Sequence, residues 1–237
     1  MANAFVQKVV KTSGGGVTTL TTDAPASSTT AGNLLVVCFS SNWSGSSGVP
    51  TDTGSNTYTL ADSYANGSGD AFHYIYYCFN AASVSSSGGS WTCTQGTARD
   101  CGILVLEYSG LGVGSIGTTG DNGLFNSAGS SISAATGSAS AAGSLIVASV
   151  GAWGNTPGAV SASGFTMREN ASTNSANNFT AGGDILSASA AVQTAAFTWT
   201  NSLNYPAAVI VEFVPAGGGG GTAVKDMIGS GYIPHAR

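Results

Sequence analysis

Apolar residues in this chain come in short runs with a period of two, and no stretch of eleven or more residues before Pro215 carries the 3.6-residue spacing of an amphipathic helix. The strongest runs are LLVVCFS (34–40), AFHYIYYCF (71–79), GILVLEY (102–108), SLIVASV (144–150), AAFTWT (195–200) and AAVIVEF (207–213). They are rich in β-branched and aromatic residues and are divided by Gly, Ser, Asn and Asp. Weaker strands are predicted over FVQKVV (5–10), VTTLTT (17–22), TYTLADS (57–63), SWTCTQ (90–95), SISAATG (131–137) and GFTMREN (164–170). About a dozen short strands with frequent turn residues predict an all-β, antiparallel β-sandwich or barrel. LLVVCF and GILVLEY are apolar on both faces, so they read as central strands covered from both sides.

The chain also resembles itself. AGNLLVV (31–37) matches AAGSLIV (141–147), and GSNTYTLADS (54–63) loosely matches ASGFTMRENA (162–171). SWTCT (90–94) followed by GILVLEYSG (102–110) matches AFTWT (196–200) followed by AAVIVEFVP (207–215). Offsets of about 105 to 111 residues imply two related halves, about 1–110 and 111–215. The halves are either two small sandwiches or the two sides of one; between them lies only the Gly/Ser-rich stretch 110–131, read as a loop, so a single sandwich domain over 1–215 is the favoured expectation.

Composition narrows the function classes. Only 6 basic and 11 acidic residues are present, with 35 glycines and a net charge of −5. The basic residues form no stripe that would neutralise phosphates, which argues against nucleic acid and anionic membranes as partners. No apolar stretch approaches the roughly 20 residues that span a bilayer as a helix, and MANAFVQKVVKTSGGG lacks the h-region of a secretory signal. Synthesis in a host cytoplasm is the expectation, the alternative being that an export signal has been removed.

Candidate chemistry is sparse. Cys38, Cys78, Cys93 and Cys101 have no C-x-x-C spacing, so no zinc site is expected. Buried free thiols are the first reading, and Cys78 with Cys93 is the disulfide to expect if one forms. His73 lies inside a strand, and no G-x-S-x-G elbow accompanies the many serines. Glu107 and Glu212 occupy matching positions; a carboxylate pair suggests glycoside hydrolysis, whereas a copied strand-end residue that binds backbone amides needs no catalysis. Asp52, Asn56, Asp62 and Asp70 suggest a calcium loop or ordinary turn chemistry. No cofactor, no metal and no catalytic residue is predicted. Trp43, Tyr64 and Trp153 are the candidate glycan-binding aromatics, while Trp91 and Trp199 fall in matched strands, so at least one of the two reads as core.

The run AGNLLVV, DTGSNTYTLADS, AFHYIYYCFNA and LVLEYSG resembles the jelly-roll-type sandwich modules of bacterial surface proteins and of phage tail and capsid-surface proteins. That resemblance implies a jelly-roll-like sandwich that binds, coats or projects rather than catalyses, and a place in a virion. The C-terminus extends the same reading. A strand ending at Pro215 is followed by a glycine linker (216–221), whose five consecutive glycines have an r.m.s. span of roughly 12 Å. Beyond it, TAVKDMIGSGYIPHAR (222–237) carries Val224, Met227, Ile228, Tyr232 and Ile233, with a terminal Arg237. Sixteen residues reach about 50 Å when extended. These residues predict a docking arm for virion proteins or sister subunits, and thus a homo-oligomer or repeating assembly such as a capsid decoration. The alternative is an adhesin module that binds surface glycan.

Overall fold

The computed structural model describes residues 2–42, 48–65, 71–124, 128–154, 157–170 and 178–216, with backbone only at 42 and 71. Among the described residues there are fifteen strands and no helix. In the first part of the chain these are β1 (Ala4–Thr12), β2 (Val17–Thr21), β3 (Leu34–Asn42), β4 (Thr51–Asp52), β5 (Thr59–Ala65), β6 (Ala71–Cys78), β7 (Trp91–Arg99) and β8 (Cys101–Ser109). Then follow β9 (Gly114–Gly123), β10 (Ala128–Ala135), β11 (Leu145–Trp153), β12 (Ser161–Ala162), β13 (Thr166–Glu169), β14 (Asn178–Ile185) and β15 (Thr194–Pro215).

All pairings are antiparallel. One sheet runs β1-β8-β3-β6-β5, and a small sheet runs β2-β7-β4. The third is organised by the long β15. Its first stretch pairs with β10 and β12, and its second with β9 and β11, beyond which lie β14 and β13. The two predicted strands 195–200 and 207–213 are therefore one strand, with an abrupt backbone change at Tyr205 (φ 50°).

Three apolar clusters explain why the central strands do not alternate in polarity. Leu35, Val37 and Phe39 of β3 pack with Ile103 and Val105 of β8, beneath Leu20, Trp91 and Cys93 of the small sheet. The intervening residues Leu34, Val36 and Cys38, with Leu104 and Leu106, face the other way. There they meet Leu145, Val147, Val209 and Val211 of β11 and β15 in a seam between the two large sheets. The opposite faces of β11 and β15 (Ile146, Ala148, Val150, Ile210) pack against Phe197 and Trp199 from the first stretch of the same β15. That sheet folds over on itself. Period two still governs each strand, but both sets of side chains find an apolar layer, each fully buried aliphatic contributing about 2 kcal/mol.

The stretch 110–131, expected as a loop, contains β9. Four glycines, an Asp and an Asn among its ten residues are types depleted in strands, and they outweigh Ile116, Thr118 and Thr119. Neighbouring groups come too close for side chains: a Cβ on Gly117 would run into the Glu212 carboxylate, one on Gly120 into the carbonyl of Ala135, and one on Gly123 into the Tyr64 ring. Glycine at these positions is a packing requirement that happens to resemble a linker.

Candidate functional site

Both glutamates expected as a pair are buried, and each is consumed by local structure. Glu107 accepts from the backbone amide of Thr30 (2.8 Å), from Asn33 Nδ2 (2.6 Å) and from Gln7 Nε2 (2.7 Å). Glu212 accepts from the amides of Ala141 (2.6 Å) and Thr118 (2.9 Å). Each carboxylate thereby ties down the turn that starts β3 or β11, turns built on Gly32 (φ 91°) and Gly143 (φ 83°). Charged hydrogen bonds to backbone donors are structural staples worth about 1.5–3 kcal/mol each. The hydrolase arrangement, with carboxylates free to meet a sugar, is not what these contacts make.

The seam holds a second polar group. Tyr108 Oη donates to Asp184 Oδ2 (2.8 Å), which also receives Arg168 Nε (2.7 Å), while Arg168 Nη2 reaches Oδ1 (2.9 Å). The guanidinium lies 4.2 Å from the centroid of Phe5 on β1, and Lys8 Nζ sits 2.9 Å from Glu169. Burial, then the Asp184 charge, pushes the Tyr108 phenol far above its ordinary value. The Asp184 hydrogen bond raises Arg168 further. These contacts join β1 and β8 to β13 and β14, so their work is to lock the seam.

His73 is fully buried, and neither ring nitrogen has a hydrogen-bond partner. Its neighbours are Ser40 and Tyr64 in cross-strand register, and Gly151 across the seam, where an added Cβ would stand 3.1 Å from His73 Nδ1. Ser40 Oγ is itself engaged by Asn178 Oδ1 (2.8 Å), the Phe179 carbonyl (3.1 Å) and Thr180 Oγ1. Burial lowers the His73 pKa to about 3, so the ring is neutral in the fold at ordinary pH. A neutral imidazole sealed from solvent has no route to a substrate proton.

The remaining candidates divide cleanly. Asp52 closes its own turn by accepting from the Asn56 amide (3.0 Å), Asn56 Nδ2 (2.8 Å) and Tyr58 Oη (2.7 Å), and Trp91 Nε1 donates to that same phenol (2.7 Å). This is the turn chemistry of the Asp-x-Gly-x-Asn spacing rather than an open oxygen cage. Asp62 lies on β5, and Asp70 lies outside the described residues. Among the described residues no group of three or more His, Cys, Asp or Glu is placed to hold a metal ion. The four cysteines are free and buried, so the Cys78–Cys93 disulfide is not formed. Burial pushes Cys38 up to about 12 and Cys101 up to about 11, which keeps both as thiols.

Of the aromatics, Trp91 and Trp199 are both core residues, where at least one was expected, with 0% and 6% exposure. Tyr64 lies against Gly123 of β9, and burial raises its phenol pKa, followed by the charge of Asp121. Trp43 falls outside the described residues. Trp153, at the end of β11, is half-buried and stacks on Tyr205, ring centroids 6.3 Å apart and planes 23° apart. Sequence reasoning missed Tyr205; its one signal is the Tyr-Pro dipeptide inside an otherwise regular strand. The expected docking residues Val224, Met227, Ile228, Tyr232, Ile233 and Arg237 also lie outside the described residues. The described chain ends at Ala216, whose amide donates to the Val113 carbonyl (3.0 Å). Near that exit is a cavity of about 290 Å³ lined by Ala2, Asn3, Gly143, Leu186, Ser187 and Pro215. Comparison of the chain with known protein families, with curated proteins and with solved structures returned no match.

Proposed function

We propose that this chain is a non-enzymatic structural protein of a phage particle: a β body displayed on a capsid or tail and held there by its C-terminal arm, residues 222–237. The observation that carries this reading is the state of the reactive groups. Glu107, Glu212, Asp52 and Asp184 are saturated by the fold, and His73 is sealed inside it. What remains is a body whose three apolar clusters are filled by residues up to Phe213, and a peptide with apolar side chains beyond the glycines.

The body reads best as two jelly-roll halves placed back to back. In favour are the pairings: β1-β8-β3-β6 with β2-β7-β4 in one half, and β9, β15, β11, β14 with β10, β15, β12 in the other, β5 and β13 occupying corresponding edges. The shared Glu107/Glu212 contacts and the Gly32/Gly143 turns point the same way. On this reading each half is its own small sandwich, in place of the single sandwich expected from the missing linker, and the seam cluster joins them. Repetition around a particle would let weak arm contacts add through multivalency.

The test is assembly with a chain ending at Ala216. It should keep the melting temperature of the full chain yet be absent from purified particles. Undiminished incorporation of the shortened chain refutes the arm's role.

A further inference from the structure

Three non-glycine residues among those described have left-handed backbone: Ser55 (φ 60°), Asn80 (φ 50°) and Tyr205 (φ 50°). Ser and Asn are turn residues that tolerate this region, whereas a bulky aromatic there is an outlier. Tyr205 is placed worse still, because it precedes Pro206, whose ring disfavours helical-type conformations in the residue before it. Strain of this kind persists only where the surroundings impose it, and it collects at binding sites.

The strain sets the Tyr205 ring against Trp153. Asn204 stands opposite Trp153 in the β11–β15 register, while Leu203 beneath is buried. Beside them Gly154 (φ 128°) packs on the same strand end, its missing Cβ position 3.6 Å from Leu203 Cδ2 and 3.9 Å from Asn204 Nδ2. Both rings are half-buried, so part of each remains open to solvent. No charged residue occurs in 150–154 or 200–206. Two half-buried aromatic rings, a neighbouring amide and no charge match one ligand chemistry: the C–H face of a pyranose ring, with hydroxyls for the amide. A charged ligand would find no counter-ion on these two strand ends, and an apolar peptide would leave the amide unanswered.

We infer that Trp153, Tyr205 and Asn204 form a binding subsite for an uncharged hexopyranose polysaccharide. The site is independent of the arm, so its success or failure leaves the attachment reading where it stands.

The experiment is native affinity electrophoresis of the full chain in gels cast with laminarin, dextran, hydroxyethylcellulose or galactomannan, with intrinsic tryptophan fluorescence as a second readout. At least one of these should retard the protein. Trp153→Ala and Tyr205→Ala should weaken that retardation about tenfold or more, and Tyr205→Phe should stay within about threefold. Tyr205→Gly separates binding from folding, because it relieves the backbone while deleting the ring. It should melt no lower than the parent and still lose retardation. Val192→Ala, an exposed apolar change remote from the site in sequence, is the control and should bind as the parent does. The inference is overturned if none of the four polysaccharides retards the parent, if the aromatic variants bind as well as the parent, or if Tyr205→Gly melts markedly lower and so marks the ring as a packing residue.

Discussion

Acid should weaken this fold through His73, and the size of the effect follows from the ring's surroundings. In the unfolded chain the imidazole titrates near 6.5; in the fold, burial takes it to about 3. The unfolded state therefore binds its proton first, and stability falls as the pH drops below 6.5, with nothing lost above it. At 1.36 kcal/mol per pH unit, the loss is about 3 kcal/mol at pH 4.5 and approaches about 5 kcal/mol near pH 3. The groups packed around the ring are Ser40 on β3, Tyr64 on β5 and Gly151 across the seam, with Thr180 beyond Ser40 and Asp121 beyond Tyr64. None of these is a carboxylate in contact with the ring that would hold the imidazolium. The assay is urea unfolding followed by tryptophan fluorescence at pH 7.5, 6.0, 5.0 and 4.5, comparing the parent with His73→Leu. Carboxylate titrations are common to both proteins and cancel in the difference. The variant should be at least as stable at pH 7.5, since it removes two unpartnered buried nitrogens. Between pH 7.5 and 4.5 it should lose about 3 kcal/mol less than the parent. Parallel losses in the two proteins would refute the reasoning.

Other substitutions probe the remaining contacts. Glu107→Ala and Glu212→Ala should each cost about 3 kcal/mol in chemical denaturation, because each strands buried donors; a cost below about 1 kcal/mol for either would show that the staple is idle. Arg168→Ala should cost about 3–5 kcal/mol by leaving the Asp184 carboxylate buried beside Tyr108 without its cation, and an unchanged urea midpoint would contradict this. Leu104→Ala in the seam should lose about 2–5 kcal/mol, and calorimetry should still show one transition; separate melting of the two halves would mean that the seam does not couple them. Gly120→Ala, which drives a methyl into the Ala135 carbonyl, should lower the melting temperature by several degrees, and an unshifted melt would show that β9 can move aside.

What the sequence made legible was the part governed by local rules. Period-two runs located β3, β8 and β11, and their double-sided apolar character anticipated layers on both faces. The repeat placed Glu107 and Glu212 at matching positions, and the structure gives them matching backbone contacts. Elements set by close approach were hidden. In β9 and at Gly183 of β14 neighbouring strands come so close that a side chain does not fit, and the glycines this requires carry no strand propensity. Tyr205 was missed for a related reason: propensity places a tyrosine comfortably in a strand, and only its backbone angle reveals otherwise. The seam network of Tyr108, Asp184, Arg168 and Phe5 joins residues from opposite ends of the chain, a proximity that no window on the sequence displays.

The central claim is that residues 2–216 complete the fold by themselves and the arm belongs to a partner. Hydrogen exchange on the isolated full chain and on the same chain within its assembled particle tests this most directly. The account predicts slow exchange in β3, β8, β11 and the second stretch of β15 in both samples, and protection of residues 222–237 only in the particle. Protection of 222–237 in the isolated monomer, or its absence in the particle, would contradict it.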